Sequence, residues 1–350
     1  MNKTLDFKTI RVKTHTEYDV LIGKNLIKNA GKLIKQVISP CKIAVITDDV
    51  VDRIYSETLV ESLEKQKYQV VKFVFHSGEA SKNMETYTDI LNFLALNQLT
   101  RTDAIISLGG GVVGDMAGFC AATYLRGIKY VQVATTLLAQ IDSSVGGKTG
   151  IDLKEGKNLV GAFYQPALVL CDTGALDTLP KEIFADGMGE TLKYALLDKK
   201  VFDIIEKGDF DKGELVHACI DYKRKIVEQD EFEGSLRKVL NLGHTIAHAI
   251  EKLSNYNITH GKAVAIGLKV ITKTSFNHGY IDQNTLVKIN QLISKWIDNV
   301  DLPFSIEKIC EVALNDKKRK GEEISLILIK GIGNVFEQKI KISDLKEYLA

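Results

Sequence analysis

Proline is scarce in this chain, and its sequence contains no flexible linker. Only 4 of the 350 residues are proline, and no Pro- or Ser-rich tract, low-complexity segment or internal repeat occurs. A chain of this length can form two domains, each with a core of its own. Because no linker separates such domains, we expect a tight boundary between them.

Long apolar runs and an excess of one charge are also missing. No uncharged apolar run approaches the roughly 20 residues that cross a bilayer, and residues 1–8 lack the apolar segment of a signal peptide. The 46 Lys and Arg residues and 45 Asp and Glu residues leave a net charge of +1, which argues against an electrostatic nucleic-acid binder. We therefore expect a soluble cytoplasmic protein whose partner is a small molecule, not nucleic acid or a membrane.

The sequence has no CxxC pair that would indicate a zinc ribbon or a redox centre. Its 5 cysteines are odd in number and lie far apart, at Cys41, Cys120, Cys171, Cys219 and Cys310. Such cysteines indicate reduced thiols in a reducing compartment.

The hydrophobic pattern changes near residues 176–180. Before that point, short β-branched runs alternate with amphipathic stretches, which predicts a parallel sheet covered on both faces. The predicted strands are 42–47, 70–75, 104–108 and 130–133, and the helices between them include 55–66 and 84–97. From residue 181 the pattern is mainly helical, over 183–197, 213–228, 236–253, 261–277 and 283–296, with a hairpin over 324–335. We predict an α/β domain over 1–178 and a mostly helical domain over 179–350, with the ligand in the cleft between them.

A glycine-rich segment over residues 109–114 follows an apolar strand and precedes a helical run. Glycine allows backbone N–H groups and a helix N-terminus to approach a pyrophosphate closely. The segment matches GxGxxG, but the position about twenty residues further holds Val131, where the dinucleotide motif has an acid. A tight structural turn is therefore an equal alternative. Asp48, at the end of the first strong strand, is a candidate acceptor for a ribose hydroxyl, or else a solvated turn residue.

A second glycine-rich region, residues 143–149, resembles a P-loop in its last three residues only. The first glycine of that motif would fall on Asp142, which excludes a P-loop. Lys148 and Lys157 nevertheless lie among glycines, where flexible backbone beside an ammonium suits an anionic ligand. Solvated surface lysines are the alternative.

Three of the 7 histidines cluster in the sequence, at His244, His248 and His260. The i, i+4 spacing of His244 and His248 places both on one helical face. Thr245 stands where an HExxH protease has its glutamate, which argues against a metallopeptidase. A catalytic metal site needs a further ligand, commonly a carboxylate, and Glu190 on a predicted helix is a candidate. Capping or packing histidines are the alternative.

Polar side chains also recur on the predicted helix that precedes these histidines. Arg237 and Asn241 are four residues apart and His244 follows three residues later, so one face would carry a guanidinium, an amide and an imidazole. Arginine binds carboxylate or phosphate through two hydrogen bonds, which suits an anionic substrate. A solvated helix face is the alternative.

In combination, these segments closely resemble the 3-dehydroquinate synthase family of sugar-phosphate cyclases. The matching residues span most of the chain in the order of the family: 109–115, 118–119, 124–127, 135–139, 142, 144–149, 156–158, 178–180, 240–245, 260–261 and 316–318. The resemblance implies a Rossmann-like N-terminal domain, a mostly α-helical C-terminal domain, a homodimer, bound NAD, and one zinc or cobalt ion.

The resemblance also assigns roles to individual residues. It implies that the metal ligands are Glu190, His244 and His260, so that His248 becomes a substrate or proton-relay residue. It places NAD against Asp48, Ser77, Gly78, Glu79, Lys82, Gly111, Val112, Val113, Gly114, Asp115, Thr135, Thr136, Lys148, Lys157 and Thr178. It places the substrate against Arg126, Asp142, Lys148, Asn158, Lys193, Lys223, Arg237, Asn241, His248, Lys317 and Lys318.

The implied activity converts 3-deoxy-D-arabino-heptulosonate 7-phosphate to 3-dehydroquinate and phosphate. The steps are transient oxidation by NAD, phosphate elimination, reduction, ring opening and aldol closure, a lyase reaction of the shikimate pathway that leads to chorismate and the aromatic amino acids. Oxidation acidifies the neighbouring C–H, which explains a need for NAD without net redox change. The metal polarises the alcohol oxygen.

The sequence departs from the usual family pattern at four positions, none of which we assign to chemistry. They are Ala134 in place of proline, Asp152 in place of asparagine, Gly189 in place of alanine and Lys262 in place of glutamate. Another sugar-phosphate cyclase, or a metal-dependent polyol dehydrogenase that accumulates NADH, is an alternative on the same fold. A catalytically silent NAD sensor is a third alternative, but it would require losses among the metal or phosphate residues.

Overall fold

A computed structural model of the chain describes residues 5–316 and 323–349. The chain forms two compact units. Unit 1 contains the described residues up to Leu179 together with Lys212–Glu228, and unit 2 contains Pro180–Asp211 and the described residues from Gln229 onward. The helical pattern of the sequence did not indicate that Lys212–Glu228 belongs with unit 1. The functional domains expected over 1–178 and 179–350 stay a prediction.

The strands of unit 1 form one large sheet and one separate hairpin. They are β1 (Phe7–Val12), β2 (Tyr18–Gly23), β3 (Lys42–Asp48), β4 (Gln69–Phe75), β5 (Ala104–Gly109), β6 (Lys129–Ala134), β7 (Lys148–Leu153), β8 (Gly156–Phe163) and β9 (Leu168–Asp172). Seven strands build the sheet in the order β1-β2-β9-β6-β5-β3-β4, and β7 pairs with β8. Every neighbouring pair in the large sheet is parallel except β1 with β2.

The α-helices of the described chain alternate with these strands in unit 1 and dominate unit 2. They are α1 (Ala30–Ile34), α2 (Asp49–Val51), α3 (Glu57–Glu64), α4 (Met84–Leu96), α5 (Gly111–Thr123), α6 (Lys181–Leu197), α7 (Lys199–Lys207), α8 (Lys212–Gln229), α9 (His244–Leu253), α10 (His260–Asn277), α11 (Gln283–Trp296), α12 (Ile306–Asp316) and α13 (Leu345–Leu349).

Both faces of the large sheet are covered, as the sequence predicted. Along β5, Ile106 belongs to an apolar cluster with Leu59 and Leu63 of α3, whereas its neighbour Ile105 belongs to a second cluster with Met116 of α5. Successive strand residues point to opposite faces, so a strand buried on both faces must be apolar throughout. All six residues of β5 are buried, and Ser107 has the one polar side chain among them.

The four strands predicted from β-branched runs are β3, β4, β5 and β6, so those predictions are confirmed. Strands β1, β2, β7, β8 and β9 were not predicted. Gly150 of β7 lies opposite Gly161 of β8. The two strands can pair only because these positions lack a Cβ, since a Cβ on Gly161 would lie 2.1 Å from the Thr149 carbonyl oxygen. This close contact depends on which strand pairs with which, so the sequence of either strand alone does not predict it.

In unit 2, the helix predicted over 236–253 is wrong as a single element. Residues Leu236–Asn241 form a 3₁₀ turn, and α9 begins only at His244 because Gly243 adopts a left-handed φ of 78°. Gly243 also lies against α10, where a Cβ on Gly267 would be 2.2 Å from the Gly243 carbonyl oxygen. The predicted shared helical face of Arg237, Asn241 and His244 is therefore wrong.

The predicted hairpin is confirmed as β10 (Glu323–Gly331) and β11 (Asn334–Lys341), which pair in antiparallel register with Ile329 opposite Val335. All 5 cysteines are free thiols, and four of them are buried. Within the ranges that the structure describes, no helix combines the length and the apolar character that a membrane span requires.

Candidate metal centre and nucleotide site

Three side chains of unit 2 meet at one point. Glu190 lies in the middle of α6, and His244 and His260 are the first residues of α9 and α10. The Glu190 Oε1 atom is 3.0 Å from His244 Nε2 and 2.9 Å from His260 Nε2. One ligand atom from each residue lies within 4.8 Å of the other two. The structure thus brings together the three residues expected to bind a metal.

Two glycines allow α6 and α10 to approach closely enough for this geometry. A Cβ on Gly189 would lie 2.0 Å from the Gly261 carbonyl oxygen, and a Cβ on Gly261 would lie 1.7 Å from the Asp186 carbonyl oxygen. Asp186 also accepts a hydrogen bond from the Gly261 N–H at 2.7 Å. Each glycine is a sequence neighbour of a candidate ligand, so the backbone contact determines where Glu190 and His260 lie. Gly189, one of the departures named above, fits this close approach.

The charge at Glu190 is stabilised strongly. Burial by itself would raise its pKa, but the ammonium of Lys193 and the imidazoles of His244 and His260 lower the pKa well below its ordinary value. Lys193 Nζ is 2.5 Å from Glu190 Oε2, and both side chains are buried. Burial also lowers the pKa of His260, but hydrogen bonds to Glu190 and Glu251 outweigh it and raise the pKa to about 10. An anionic oxygen between two imidazole nitrogens is a donor set that divalent zinc or cobalt accepts.

His248 lies beside the three candidate ligands but outside their set. It is four residues after His244 on α9, and its ring centroid is 5.5 Å from that of His244 and 6.4 Å from that of His260. Its side chain is exposed. This arrangement suits the substrate or proton-relay role that the resemblance implies, which stays a prediction.

Two other predicted substrate residues, Arg237 and Asn241, precede α9 in the 3₁₀ turn Leu236–Asn241. Arg237 is buried, and its Nη1 donates to the Glu231 carbonyl at 2.6 Å. Asn241 is exposed, and its Nδ2 donates to Glu233 Oε1 at 3.4 Å. Lys317 and Lys318 lie outside the described residues.

In unit 1, the glycine-rich segment lies between the end of β5 at Gly109 and the start of α5 at Gly111. None of its glycines has a left-handed φ. Their lack of a Cβ serves close packing instead, since a Cβ on Gly109 would lie 2.5 Å from Val113 and one on Gly114 would lie 3.1 Å from Gln132. Val112 and Asp115 complete the first turn of α5. Most of the glycine-rich segment over residues 109–114 therefore belongs to α5.

Two polar features at this edge of the sheet are unsatisfied within the described residues. The N-cap of α5, Gly110, offers no side chain that bonds the free N–H groups of the first turn. The hydroxyl of Thr135, directly after β6, is buried and has no hydrogen-bond partner among the described residues. The neighbouring Thr136 accepts from the Ala139 N–H at 3.2 Å. A nucleotide phosphate at this helix N-terminus would meet donors that the protein itself leaves available.

Lys82 is the centre of a buried polar network in unit 1. Its Nζ donates to Asp115 Oδ2 and to Asn158 Oδ1, each at 2.6 Å. Burial by itself would lower the pKa of Lys82, but the carboxylates of Asp115 and Glu79 raise it above its ordinary value. Lys157 Nζ lies 3.7 Å from Glu79 Oε1. Five residues expected at the cofactor or the substrate thus lie together.

A second ion pair joins Lys223 of α8 to Asp142. Lys223 Nζ contacts the Asp142 carboxylate and also donates to the Asp142 carbonyl oxygen at 2.9 Å. The structure therefore brings together two residues that the resemblance assigns to the substrate although they are far apart in sequence. Lys148 begins β7 with an exposed side chain.

The remaining predicted cofactor residues of unit 1 are Asp48 at the end of β3, Ser77 and Gly78 after β4, and Thr178 near Tyr55. Asp48 Oδ1 accepts from the N–H groups of Val50 and Val51 at 3.0 and 2.8 Å, so this carboxylate caps α2. Burial raises its pKa, which those hydrogen bonds only partly offset. Ser77 and Gly78 follow β4, with Gly78 at a φ of 107°. The Thr178 hydroxyl contacts the Tyr55 hydroxyl.

Arg126, a predicted substrate residue, lies apart from the segment that the predicted cofactor residues of α5 share. It is exposed, in a 3₁₀ turn directly after the C-terminal end of α5, with a left-handed φ of 67°. Helix α5 has 13 residues, and at 1.5 Å per residue its two ends are about 20 Å apart. Arg126 is therefore not brought to the glycine-rich end of its own helix.

Sequence reasoning missed two acidic residues that contact the expected site residues. Glu251 is buried on α9, and its Oε2 lies 3.3 Å from His260 Nδ1. Asp152 Oδ1 accepts from the Asn158 N–H at 2.7 Å, where Asn158 has a left-handed φ of 56°. The spacing of Glu251 seven residues after His244 places both on one face of α9, and this spacing was the available signal.

Two family models match consecutive parts of this chain. Residues 72–186 match the family described as 3-dehydroquinate synthase N-terminal, and residues 187–319 match the 3-dehydroquinate synthase C-terminal family. A 3-dehydroquinate synthase of Clostridium acetobutylicum is 44% identical to this chain, over 98% of this chain and 99% of that relative.

Solved structures show the same fold. A 2-deoxy-scyllo-inosose synthase complexed with carbaglucose-6-phosphate, NAD⁺ and Co²⁺ superposes with a TM-score of 0.86 at 24% identity, over 98% of this chain and 99% of that chain. A 2-epi-5-epi-valiolone synthase from Streptomyces hygroscopicus with NAD⁺ and Zn²⁺ bound gives a TM-score of 0.86 at 23% identity, over 97% and 98% of the two chains. The predicted fold class is confirmed. From its family matches and its relatives, the chain belongs to the 3-dehydroquinate synthase family.

Proposed function

We propose that this protein converts 3-deoxy-D-arabino-heptulosonate 7-phosphate to 3-dehydroquinate and phosphate, with NAD and one divalent zinc or cobalt ion as cofactors. The observation that carries the proposal is the convergence of Glu190, His244 and His260 in a chain of this family. One carboxylate and two imidazoles leave room at a tetrahedral ion for a substrate oxygen, as a catalytic site requires.

The residues of unit 2 fit a divalent metal because their donor atoms already face one another. When bound, the ion would polarise a substrate hydroxyl and lower its pKa. Lys193 keeps Glu190 anionic through their contact at 2.5 Å, so that the carboxylate is ready as a ligand. His248, exposed beside the ligands, is placed to exchange a proton with a substrate oxygen.

The edge of the sheet in unit 1 fits a dinucleotide. The uncapped N-terminus of α5 suits a pyrophosphate, and the Thr135 hydroxyl supplies a buried polar group for the cofactor. NAD would supply reversible hydride transfer, which the reaction needs without net oxidation. Lys82, Asp115 and Asn158 hold one another in place, and Lys223 with Asp142 offers an ammonium for an anionic substrate.

The substitution Thr135→Val tests the nucleotide site. Valine keeps the shape of the side chain and removes a hydroxyl that has no partner among the described residues. We expect the unfolding temperature of the cofactor-free protein to stay the same or rise, whereas the Kd for NAD rises about fivefold for one lost hydrogen bond of about 1 kcal/mol. Isothermal calorimetry with NAD and thermal melts measure both quantities.

Thr272→Val is the matched control for this experiment. Its buried hydroxyl donates to the Leu268 carbonyl at 2.7 Å within α10. We expect the Kd for NAD to remain at the wild-type value in this variant. Equal NAD affinity in Thr135→Val and wild type would show that the Thr135 hydroxyl does not contact the cofactor.

The activity itself is tested by incubating the purified protein with the heptulosonate phosphate, NAD and zinc. We expect stoichiometric release of phosphate and dehydroquinate with no accumulation of NADH. A metal-dependent polyol dehydrogenase would instead accumulate NADH with an alcohol substrate. Release of phosphate from another sugar phosphate but not from this one would assign the chain to a different cyclase.

We also propose that the protein is a homodimer, in which Arg126 contacts substrate bound to the other copy. Arg126 is exposed and lies about 20 Å along α5 from Gly111, so a substrate role within its own chain is hard to reconcile with its position. Light scattering should give twice the chain mass of 38.8 kDa. The cytoplasmic location expected from the sequence stays a prediction.

Mixed dimers test the role of Arg126. We expect R126A and H248A to be nearly inactive when each is alone. If Arg126 acts in the other copy, one site of each mixed dimer keeps both residues, and random mixing restores roughly a quarter of the wild-type activity. If Arg126 acts within its own chain, every site of a mixed dimer lacks one residue, and mixing restores nothing.

A further inference from the structure

Glu251 is a buried carboxylate beside the candidate metal ligands that has no role in the account above. It lies on α9 with 3% of its surface exposed. Its Oε2 is 3.3 Å from His260 Nδ1, while the other ring nitrogen, Nε2, is 2.9 Å from Glu190 Oε1. The two nitrogens of one imidazole therefore face two carboxylates on opposite sides of the ring.

His244 shows the same arrangement with a different acceptor. Its Nδ1 lies 3.1 Å from the Leu242 carbonyl oxygen, and its Nε2 lies 3.0 Å from Glu190 Oε1. When a neutral imidazole donates its Nδ1–H to an acceptor, the lone pair remains on Nε2. In each histidine, an acceptor at Nδ1 therefore lets Nε2 act as a ligand to an ion bound beside Glu190. Only for His260 is that acceptor a carboxylate side chain.

We propose that Glu251 is a positioning residue for the metal. It accepts a hydrogen bond from the Nδ1–H of His260, holds the ring so that Nε2 faces Glu190 and His244, and makes that nitrogen a stronger donor. Carboxylates that bond the far nitrogen of a metal-binding histidine commonly have both effects. The proposal rests on the metal site of the proposed function and adds the residue that orients one of its ligands.

Burial supports this role. A buried carboxylate costs folding free energy unless it is paired and hydrogen-bonded. Glu251 is on α9 and His260 begins α10, so their contact joins two of the three helices that carry ligands. A loss of the contact would release the His260 ring while leaving Glu190 and His244 in place.

The test compares metal binding in wild type, E251Q and E251L. Glutamine keeps a neutral acceptor of the same shape, whereas leucine removes the acceptor altogether. We expect Zn²⁺ affinity, measured by competition with a chromophoric chelator, to fall about 10- to 100-fold in E251L and by a smaller factor in E251Q. We also expect the absorption bands of the Co²⁺-loaded variants to shift in the same order. A merely structural role would lower the melting temperature of the metal-free protein without moving those bands.

E206Q is the matched control, because Glu206 forms a surface ion pair with Lys288 at 3.0 Å in the same unit. It should keep the wild-type affinity and spectrum. If E251L does not fold, the Zn²⁺ affinity and Co²⁺ spectrum of E251Q test the proposal instead. A folded E251Q with the wild-type Zn²⁺ affinity and Co²⁺ spectrum overturns the proposal for Glu251. A wild-type protein that binds neither Zn²⁺ nor Co²⁺ overturns the metal site itself, which is a separate failure.

Discussion

Replacing Glu190 by glutamine should remove the metal and stop the reaction. The Glu190 Oε1 atom is the point on which both His244 and His260 converge, at 3.0 and 2.9 Å. A neutral amide is a far weaker ligand for zinc than a carboxylate, but it has nearly the same size and shape, so we expect the fold to be preserved. We expect phosphate release to fall by on the order of 1,000-fold, which is about 4 kcal/mol of transition-state stabilisation.

Two measurements check this expectation. Elemental analysis of the purified E190Q protein should show much less than one metal ion per chain, and a phosphate-release assay gives the rate. E206Q, which removes one charge from a surface ion pair, should match wild type in both. An E190Q protein that retains one ion per chain and the wild-type rate would show that Glu190 is not a metal ligand.

Replacing Gly261 by alanine should have the second largest effect, and it should act through packing. The added Cβ would lie 1.7 Å from the Asp186 carbonyl oxygen, a backbone atom that cannot rotate away. Helices α6 and α10 would have to separate, with an expected loss of about 3 kcal/mol in the free energy of unfolding and about 4 °C in Tm. Because His260 is the adjacent residue, we also expect weaker metal binding.

Thermal unfolding of the metal-free protein separates the packing effect from the metal effect. Gly234→Ala is the control, since a Cβ there would meet only Asp230 Oδ1 at an ordinary distance of 3.5 Å. It should melt within a degree or two of wild type. If Gly261→Ala has the same melting temperature as Gly234→Ala, then α6 and α10 do not approach as closely as the structure shows.

Much of the fold followed from local patterns. The β-branched runs predicted β3 to β6, and the central strands β3, β5 and β6 are largely buried because helices cover both faces of the sheet. The helix predicted over 236–253 failed because the break at Gly243 depends on its contact with Gly267 of α10. Gly267 lies outside residues 236–253, so the hydrophobic pattern of that segment could not predict the contact.

The candidate site shows the same division. The spacing of His244 and His248 indicated a shared helical face, and the resemblance to the family selected Glu190, His244 and His260 from several open alternatives. Spacing places Lys193 beside Glu190, three residues earlier on the same predicted helix, but it could not show that Lys223 contacts Asp142 or that Glu251 lies against His260. In each pair, the attraction between the two groups offsets the cost of burying them, and only the folded chain brings the groups together.

The alternation of β-branched and amphipathic runs by itself predicted the fold class, and the order of the glycine- and histidine-rich segments indicated the family. The periodicity of apolar side chains is a local property, so it can be read from the sequence without the folded structure. Tertiary structure alone decided which glycines allow α6 and α10 to touch and which carboxylate orients His260. Those features depend on distances between segments that are remote along the chain, and such distances exist only once the backbone has folded.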